Sequence, residues 1–198
     1  MVNEIIESPR KLATVKTEED LPPHITFDEF KKIYYSLKGK EQLLCGMMFD
    51  FGGRISDILS LRWQDIDLSK GIVRLYMKKS RRAQNIPLSE FITSDIRNMK
   101  EYKKPAEEDF IFASTGKLGR LTRQAVWKKC QKWGKSLGRS LHPHMWRHGL
   151  AVHLLMHGVH VKVVSARLGH RSIFTTLNTY SVITTELQRS MIQGVVMR

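Results

Sequence analysis

The 198-residue sequence predicts an α+β fold that is mainly α-helical and contains one small antiparallel β-hairpin sheet. Apolar residues recur at helical spacing through most of the chain, and glycines stand where several of these stripes end. One segment, residues 66–88, instead alternates with a period of two, which is typical of strands. Hydrophobic residues make up 41% of the chain, enough for one core of good size.

The first half of the chain predicts three helices. Residues 26–29 form a capping box, which predicts a helix from there to about residue 37. A largely buried helix covers about 41–51 and ends at Gly52 and Gly53, and a short helix follows over 56–61.

The alternating segment predicts three strands. Residues 66–68 precede a turn at 69–71, and residues 72–77 continue the hairpin. A basic loop is predicted over 78–84, followed by an edge strand over 85–88, where Pro87 is tolerated.

From residue 89 onward the pattern is helical again. Loops are predicted near Pro105 and near residues 115–116. Helices are predicted over 122–137, 144–157, 160–168, 173–180 and about 184–196. On the helix at 122–137, Trp127 and Trp133 are interpreted as core residues.

The charge distribution is strongly biased. The net charge is +14, and residues 110–185 contain no Asp or Glu but hold twelve Lys and Arg and seven of the eight histidines. Such a bias favours a nucleic acid over a membrane as the partner. Chemistry in this half cannot use a carboxylate pair or a carboxylate-bound metal.

Cys45 and Cys130 are far apart in helical segments, which predicts reduced thiols in a cytoplasmic protein. The N-terminus has no apolar signal-peptide core. His153 and His157 share a helix face, as zinc ligands can. With no acid nearby and no adjacent cysteine, neither a metal nor another cofactor is predicted.

Four short motifs contain residues suited to phosphate chemistry. Arg54 follows two glycines, where the backbone can turn sharply; it either approaches a ligand or pairs with Asp57, and both can hold together. His144 and Arg147 share a helix face, a spacing that also occurs by chance. His170 follows a glycine that ends a helix, and Tyr180 stands among small polar residues, which argues against a purely structural role in the core.

Together, in this order, the motifs resemble the catalytic domain of the tyrosine recombinases, or phage-type integrases. The matching segments are residues 53–57 (GRISD), 63–67 (WQDID), 142–148 (HPHMWRH), 168–173 (LGHRSI) and 175–180 (TTLNTY). The resemblance covers about residues 25–180. It implies an N-terminal tail over 1–22, a catalytic domain over 23–182, and a C-terminal helical tail over 183–198 that packs either on a neighbouring protomer or on its own domain.

The resemblance also implies roles for individual residues. Tyr180 is the nucleophile that forms a 3′-phosphotyrosine, while Arg54, His144, Arg147 and His170 line the scissile phosphate. A hairpin lysine, Lys79 or the adjacent Lys78, protonates the leaving 5′-oxygen. Asp57 supports Arg54, and His148 matches a structural position, so a partly buried imidazole is expected there.

The implied partner is double-stranded DNA, bound by a tetramer with accessory DNA-bending or directionality proteins. The DNA-binding candidates are basic residues of the hairpin and of the acid-free half: Lys78, Arg81, Arg82, Arg120, Arg123, Lys128, Lys132 and Arg171. Integration, excision, inversion and resolution are all compatible with the implied reaction. The region before residue 25 is shorter than the DNA-clamping domain of typical members, which is either naturally absent or lost.

Two other functions remain open at this point. A type IB topoisomerase-like enzyme would share the chemistry but relax DNA without a preferred site. A DNA-binding regulator would keep the fold without turnover, although the complete set of motif residues argues against it.

Overall fold

The computed structural model describes residues 21–77, 81–183 and 185, and gives only the backbone of Arg82. The elements follow in this order: α1 (Phe27–Ser36), α2 (Gly39–Phe51), α3 (Ile55–Ile58), β1 (Ile66–Asp67), β2 (Ile72–Met77), β3 (Arg82–Pro87), α4 (Glu90–Lys103), α5 (Arg123–Gly134), α6 (His144–Met156), α7 (Val161–Leu168) and α8 (Ile173–Thr179). The predicted mainly helical α+β class is confirmed.

The first two helices begin and end close to where the sequence signals lie. At α1, the Glu29 amide donates to Thr26 Oγ1 at 3.2 Å, and the Thr26 amide donates to Glu29 Oε2 at 2.8 Å. This is the predicted capping box. Helix α2 is buried from Leu43 to Phe51 and ends at Gly52, whose φ of 59° is left-handed. Such a φ favours glycine because it lacks a Cβ.

The sheet has the strand order β1-β2-β3, with both pairs antiparallel. Val73, Leu75 and Met77 of β2 face the core, as the alternation predicts. The predicted basic loop over 78–84 is too long, because β3 begins at Arg82, opposite Met77. Main-chain pairing continues there through Arg82, Ala83 and Gln84, which carry no alternating apolar signal.

The later helices match their predictions closely. Helix α5 continues into a 3₁₀ turn over Lys135–Leu137, so together they fill the predicted 122–137. Helices α6, α7 and α8 end within about one residue of the predicted bounds. The predicted helix over 184–196 lies outside the described residues except for residue 185. No described helix is long and apolar enough to cross a membrane.

Buried apolar side chains form two clusters of very different size. The large cluster joins α1, α2, the sheet, α4, α5 and the first half of α6. The small cluster joins the second half of α6, α7 and the residues around α8; its members are Ala151, Leu155, Val164, Leu168, Tyr180 and Ile183. Both free thiols, Cys45 and Cys130, are buried within the large cluster.

The segment 21–26, which precedes α1, is tied to α6. The Ile25 amide donates to the Met145 carbonyl at 3.2 Å, and the Ile25 side chain is fully buried. A Cβ at Gly149 would collide with the Ile25 carbonyl, so the glycine permits this close approach. Leu21 packs against the small cluster.

Candidate active site

Helix α6 presents His144, Arg147 and His148 on one side of its first two turns, since residues three and four apart are neighbours on a helix. Arg147 is only 7% exposed and donates from its guanidinium to the Gly52 carbonyl. Burial, assisted by Arg54, lowers the Arg147 pKa to about 10. The guanidinium therefore stays charged at neutral pH and is fixed by the α2–α3 turn.

The turn after α2 places Arg54 beside α6. A Cβ on Gly52 would lie 2.6 Å from Leu150 Cδ2, so the left-handed glycine also lets the turn approach α6 closely. Arg54 then starts α3, where its carbonyl accepts from the Asp57 amide at 2.8 Å and the Ile58 amide at 3.1 Å. Its guanidinium acts electrostatically on Arg147.

His170 follows Gly169, the left-handed glycine that ends α7 (φ 65°). A Cβ at Gly169 would collide with the Met77 side chain, so glycine lets the α7 end approach β2. His170 Nδ1 lies 2.8 Å from Thr176 Oγ1, on the helix that leads to Tyr180. Burial, with Arg147 and Arg54 nearby, lowers the His170 pKa to about 4. The ring is neutral at physiological pH.

Tyr180 directly follows α8, and its side chain is 1% exposed. The small polar neighbours of Tyr180 in the sequence did not reveal this burial, although its side chain packs in the small cluster. Burial raises the pKa of Tyr180 to about 12, although the positive charge of Arg147 acts in the opposite direction. The phenol is therefore protonated at neutral pH, and its hydroxyl lies 2.7 Å from His148 Nδ1.

The expectation of a partly buried imidazole at His148 is confirmed, but its contact with Tyr180 was missed. Burial, followed by the neighbouring His144, Arg147, His142 and His24, lowers the His148 pKa to about 4. One sequence signal was available, because His148 lies four residues after His144 on the same helix face.

Electrostatic interactions link several of the predicted residues. Burial, Arg147, His142 and Arg54 together lower the pKa of His144. Asp57 is 1% exposed and acts on Arg147 in the opposite sense, favouring its charged form. Two permanent cations next to neutral imidazoles and a phenol form an environment suited to an anion.

A groove of about 220 Å³ lies beside His170, between the sheet and the end of α7. It is lined by Met77, Ala83, Gln84, Ala166, Gly169, His170 and Arg171. A larger cleft of about 510 Å³ lies between the start of α2 and α4, and its lining includes none of the predicted site residues. The larger cleft therefore does not contain the predicted site residues. The charged site around Arg147 is the better candidate for the active site.

The basic loop is only partly described. Lys78 and Lys79 lie outside the described residues, as does the side chain of Arg82. Arg81 is exposed and has a left-handed backbone with φ of 54°. The predicted roles of these residues remain predictions.

Among the other DNA-binding candidates, Arg123, Lys128, Lys132 and Arg171 are exposed, while the Arg120 guanidinium is 5.7 Å from the ring centroid of Phe110. On α5, Trp133 is buried as predicted, but the prediction for Trp127 is wrong, because its side chain is 50% exposed. The buried stripe of α5 is Val126, Cys130 and Trp133, and Trp127 lies off that stripe.

Across residues 21–77 and 81–183, no group of three or more His, Cys, Asp or Glu side chains is arranged to hold a metal ion. His153 instead stacks on Phe27 with ring centroids 4.3 Å apart.

The sequence model described as the phage integrase family matches residues 23–186. The chain belongs to the phage integrase family. Tyrosine recombinase XerA of Pyrococcus horikoshii is 29% identical over 185 residues, covering 92% of this chain and 65% of the relative. Tyrosine recombinase XerD of Yersinia pestis is 30% identical over 165 residues, covering 79% of this chain and 54% of the relative. The chain thus spans slightly under two thirds of the first relative and about half of the second.

Solved structures of the phage integrase family share the fold. A crystal structure of XerA recombinase has a TM-score of 0.73 at 20% identity, covering 88% of this chain and 65% of that one. XerH site-specific recombinase bound to its difH substrate in a pre-cleavage complex has a TM-score of 0.68 at 22% identity. That match covers 83% of this chain and 50% of the XerH chain. The predicted resemblance is confirmed at the level of family and fold.

Proposed function

We propose that the protein is a site-specific tyrosine recombinase, which breaks and rejoins DNA strands through a 3′-phosphotyrosine intermediate. The observation that supports this best is the position of Tyr180 within electrostatic reach of Arg147, which Gly52 holds in place. A buried, protonated phenol has no obvious structural need for an adjacent buried cation. A phenol that acts as a nucleophile does need such a cation, because the positive charge favours the phenolate.

Each residue of the site has a role in phosphoryl transfer. Arg54 and Arg147 bind the non-bridging oxygens, because guanidinium groups present paired donors and a permanent charge. His144 and His170 add neutral hydrogen bonds to the same phosphate, and Asp57 favours the charged form of Arg147. Lys79 donates a proton to the leaving 5′-oxygen. The phosphotyrosine conserves the energy of the cleaved bond, so ligation is the reverse reaction.

We also propose that the partner is double-stranded DNA, bound by a cytoplasmic tetramer with accessory DNA-bending or directionality proteins. Pairing of the 183–198 tail with a neighbouring protomer is part of this proposal. The exposed residues Arg123, Lys128, Lys132 and Arg171, with the basic loop at 78–82, contact the DNA backbone. Such contacts make affinity strongly dependent on salt. The relative XerH is bound to its difH substrate in a solved structure, which supports DNA as the partner.

Covalent trapping tests the proposal. Labelled duplexes tiled across the ends of the genetic element that carries this gene, each with a nick next to the candidate cleavage site, are incubated with wild type and with Tyr180→Phe. We expect a denaturant-resistant protein–DNA band with wild type that disappears in the variant. Binding of DNA by wild type without such a band would contradict the proposal and favour the regulator. Relaxation of supercoiled plasmid without any preferred site would favour a topoisomerase.

A further inference from the structure

The Tyr180 hydroxyl forms a hydrogen bond with His148. Nδ1 and Oη are 2.7 Å apart, and the ring centroids are 6.1 Å apart with the planes at 60°. The hydrogen bond joins two elements that are 32 residues apart in the chain. The roles proposed above for His144 and His170 do not involve this hydrogen bond.

The protonation states of the pair follow from their surroundings. Burial and the nearby His144, Arg147, His142 and His24 lower the His148 pKa to about 4, so its ring is neutral at pH 7. Burial also keeps the phenol protonated, since the Tyr180 pKa is raised to about 12. A neutral imidazole has one proton on one nitrogen. With that proton on Nε2, the lone pair of Nδ1 accepts the hydrogen bond from the phenol.

The other two imidazoles of the site are placed differently. His170 Nδ1 is 2.8 Å from Thr176 Oγ1, so that nitrogen is already engaged. The His144 ring is 6.4 Å from the His148 ring, centroid to centroid, on the same helix. Geometry therefore selects His148 as the imidazole within hydrogen-bonding distance of the phenol, and a general base must meet that requirement.

We propose that His148 is the general base that takes the phenolic proton of Tyr180, an inference that rests on the proposed recombinase function. As Oη bonds to phosphorus, its proton moves to Nδ1, the bond from phosphorus to the 5′-oxygen breaks, and that oxygen receives a proton from Lys79. In ligation the 5′-hydroxyl returns its proton to Lys79 and attacks phosphorus. The bond from phosphorus to Oη then breaks, and Nδ1 returns its proton to the phenol.

The surroundings make this base dependent on substrate. Without DNA, protonating His148 would add another cation beside Arg147, so the proton stays on Tyr180. A bound phosphate brings negative charge next to the same groups and favours the imidazolium. The nucleophile would therefore become active when the scissile phosphate occupies the site.

Two substitutions separate proton transfer from positioning. His148→Asn places an amide oxygen near the position of Nδ1, so it can accept the hydrogen bond but cannot take the proton. His148→Leu removes both functions. The matched control is His157→Asn, an exposed histidine at the end of the same helix that lies outside the proposed site. Unchanged melting temperatures identify variants that are folded.

The readout is the rate of adduct formation on the duplex that gives the wild-type band. It is measured with an ordinary 5′-oxygen and with a bridging 5′-sulfur at the cleavage site. Sulfur leaves without needing a proton, so it rescues the loss of a general acid but not of a base. We expect His148→Asn to be slower by about 10²–10⁴-fold on both substrates. Lys79→Ala should be rescued by sulfur, and His157→Asn should match wild type.

The pH profile provides a second readout. Without an internal base, the phenol must ionise on its own, so the His148→Asn rate should rise about tenfold per pH unit while wild type changes less. If His148→Asn keeps the wild-type rate and the wild-type pH profile, His148 is not the general base. If adduct formation is then slow only in His148→Leu, His148 is a positioning residue. A wild type that binds DNA but forms no adduct on either substrate would instead overturn the recombinase function itself.

Discussion

Arg147 and Tyr180, the proposed phosphate-binding cation and the proposed nucleophile, are built on different parts of the molecule. Arg147 belongs to the half of α6 that packs in the large cluster, and its guanidinium is bound to the turn after α2. Tyr180 belongs to the small cluster, which among the described residues has six buried members from α6, α7 and the α8 region. Val163 and Phe174, on α7 and α8, are 58% and 67% exposed.

In the proposed reaction, this difference separates binding of the phosphate from nucleophilic attack on it. Local opening is cheapest where few apolar side chains are buried, so α7 and α8 should open at lower free energy than α2 or the sheet. The cations can then hold a phosphate in a fixed position while the element with the nucleophile adjusts to it. Closure of a mobile element on a rigid one is a common way to complete a site after substrate has bound.

The largest expected effect compares equivalent leucines in the two clusters. Leu44→Ala in the large cluster should lower the free energy of global unfolding by about 2–5 kcal/mol, because it leaves a cavity in the core. Leu155→Ala in the small cluster should mainly speed amide exchange in α7 and α8. Urea denaturation and hydrogen-exchange mass spectrometry measure both. Equal global losses with uniform exchange would show that the clusters unfold as one unit.

A smaller effect is expected from two helix caps. Ser172 Oγ accepts from the Phe174 amide at the start of α8, and Thr26 caps α1 on the large cluster. Either alanine substitution should cost about 1 kcal/mol of local stability. Only Ser172→Ala should also change the rate of adduct formation at saturating DNA, because α8 leads to Tyr180. Equal catalytic losses in both variants would contradict a separate role for the small cluster.

The smallest expected effect is that of low pH on the stability of the fold. The pKa values of His148 and His170 are lowered to about 4 in the folded protein, whereas the reference value is 6.5. Between these values the unfolded chain binds more protons, so stability is full above pH 6.5 and falls as the pH drops toward 4.

Both rings are only partly buried, so solvent screening reduces the effect. We expect the melting temperature to fall on the order of 2–4 °C from pH 7.5 to 5. Calorimetry of wild type, His148→Asn and a His148→Asn, His170→Asn double variant measures it. The double variant should have the flattest pH dependence, and an unchanged dependence would contradict the histidine origin.

Local signals predicted most of the fold. The capping box at Thr26, the glycines that end α2 and α7, and the alternation of β2 all act over a few residues, so the sequence reveals them directly. The start of β3 at Arg82 was missed because strand pairing, rather than side-chain pattern, extends it.

In the candidate site, too, some features could be predicted from the sequence and others could not. Motif residues came from the family resemblance, and their electrostatic interactions agree with it. The burial of Tyr180 and its bond to His148 depend on how α8 packs against α6, and a single sequence does not reveal that contact between distant residues. The exposure of Trp127 was readable from the stripe formed by Val126, Cys130 and Trp133.

The attachment of segment 21–26 has a mechanical consequence. The Ile25 amide is bonded to Met145, the Ile25 carbonyl lies against Gly149, and Leu21 packs on the cluster that contains Tyr180. A force applied to the chain at Leu21 would therefore be transmitted directly to α6, close to the proposed site residues His144 and Arg147. A spacer inserted after Ile25 would lengthen this connection and would therefore disturb the site.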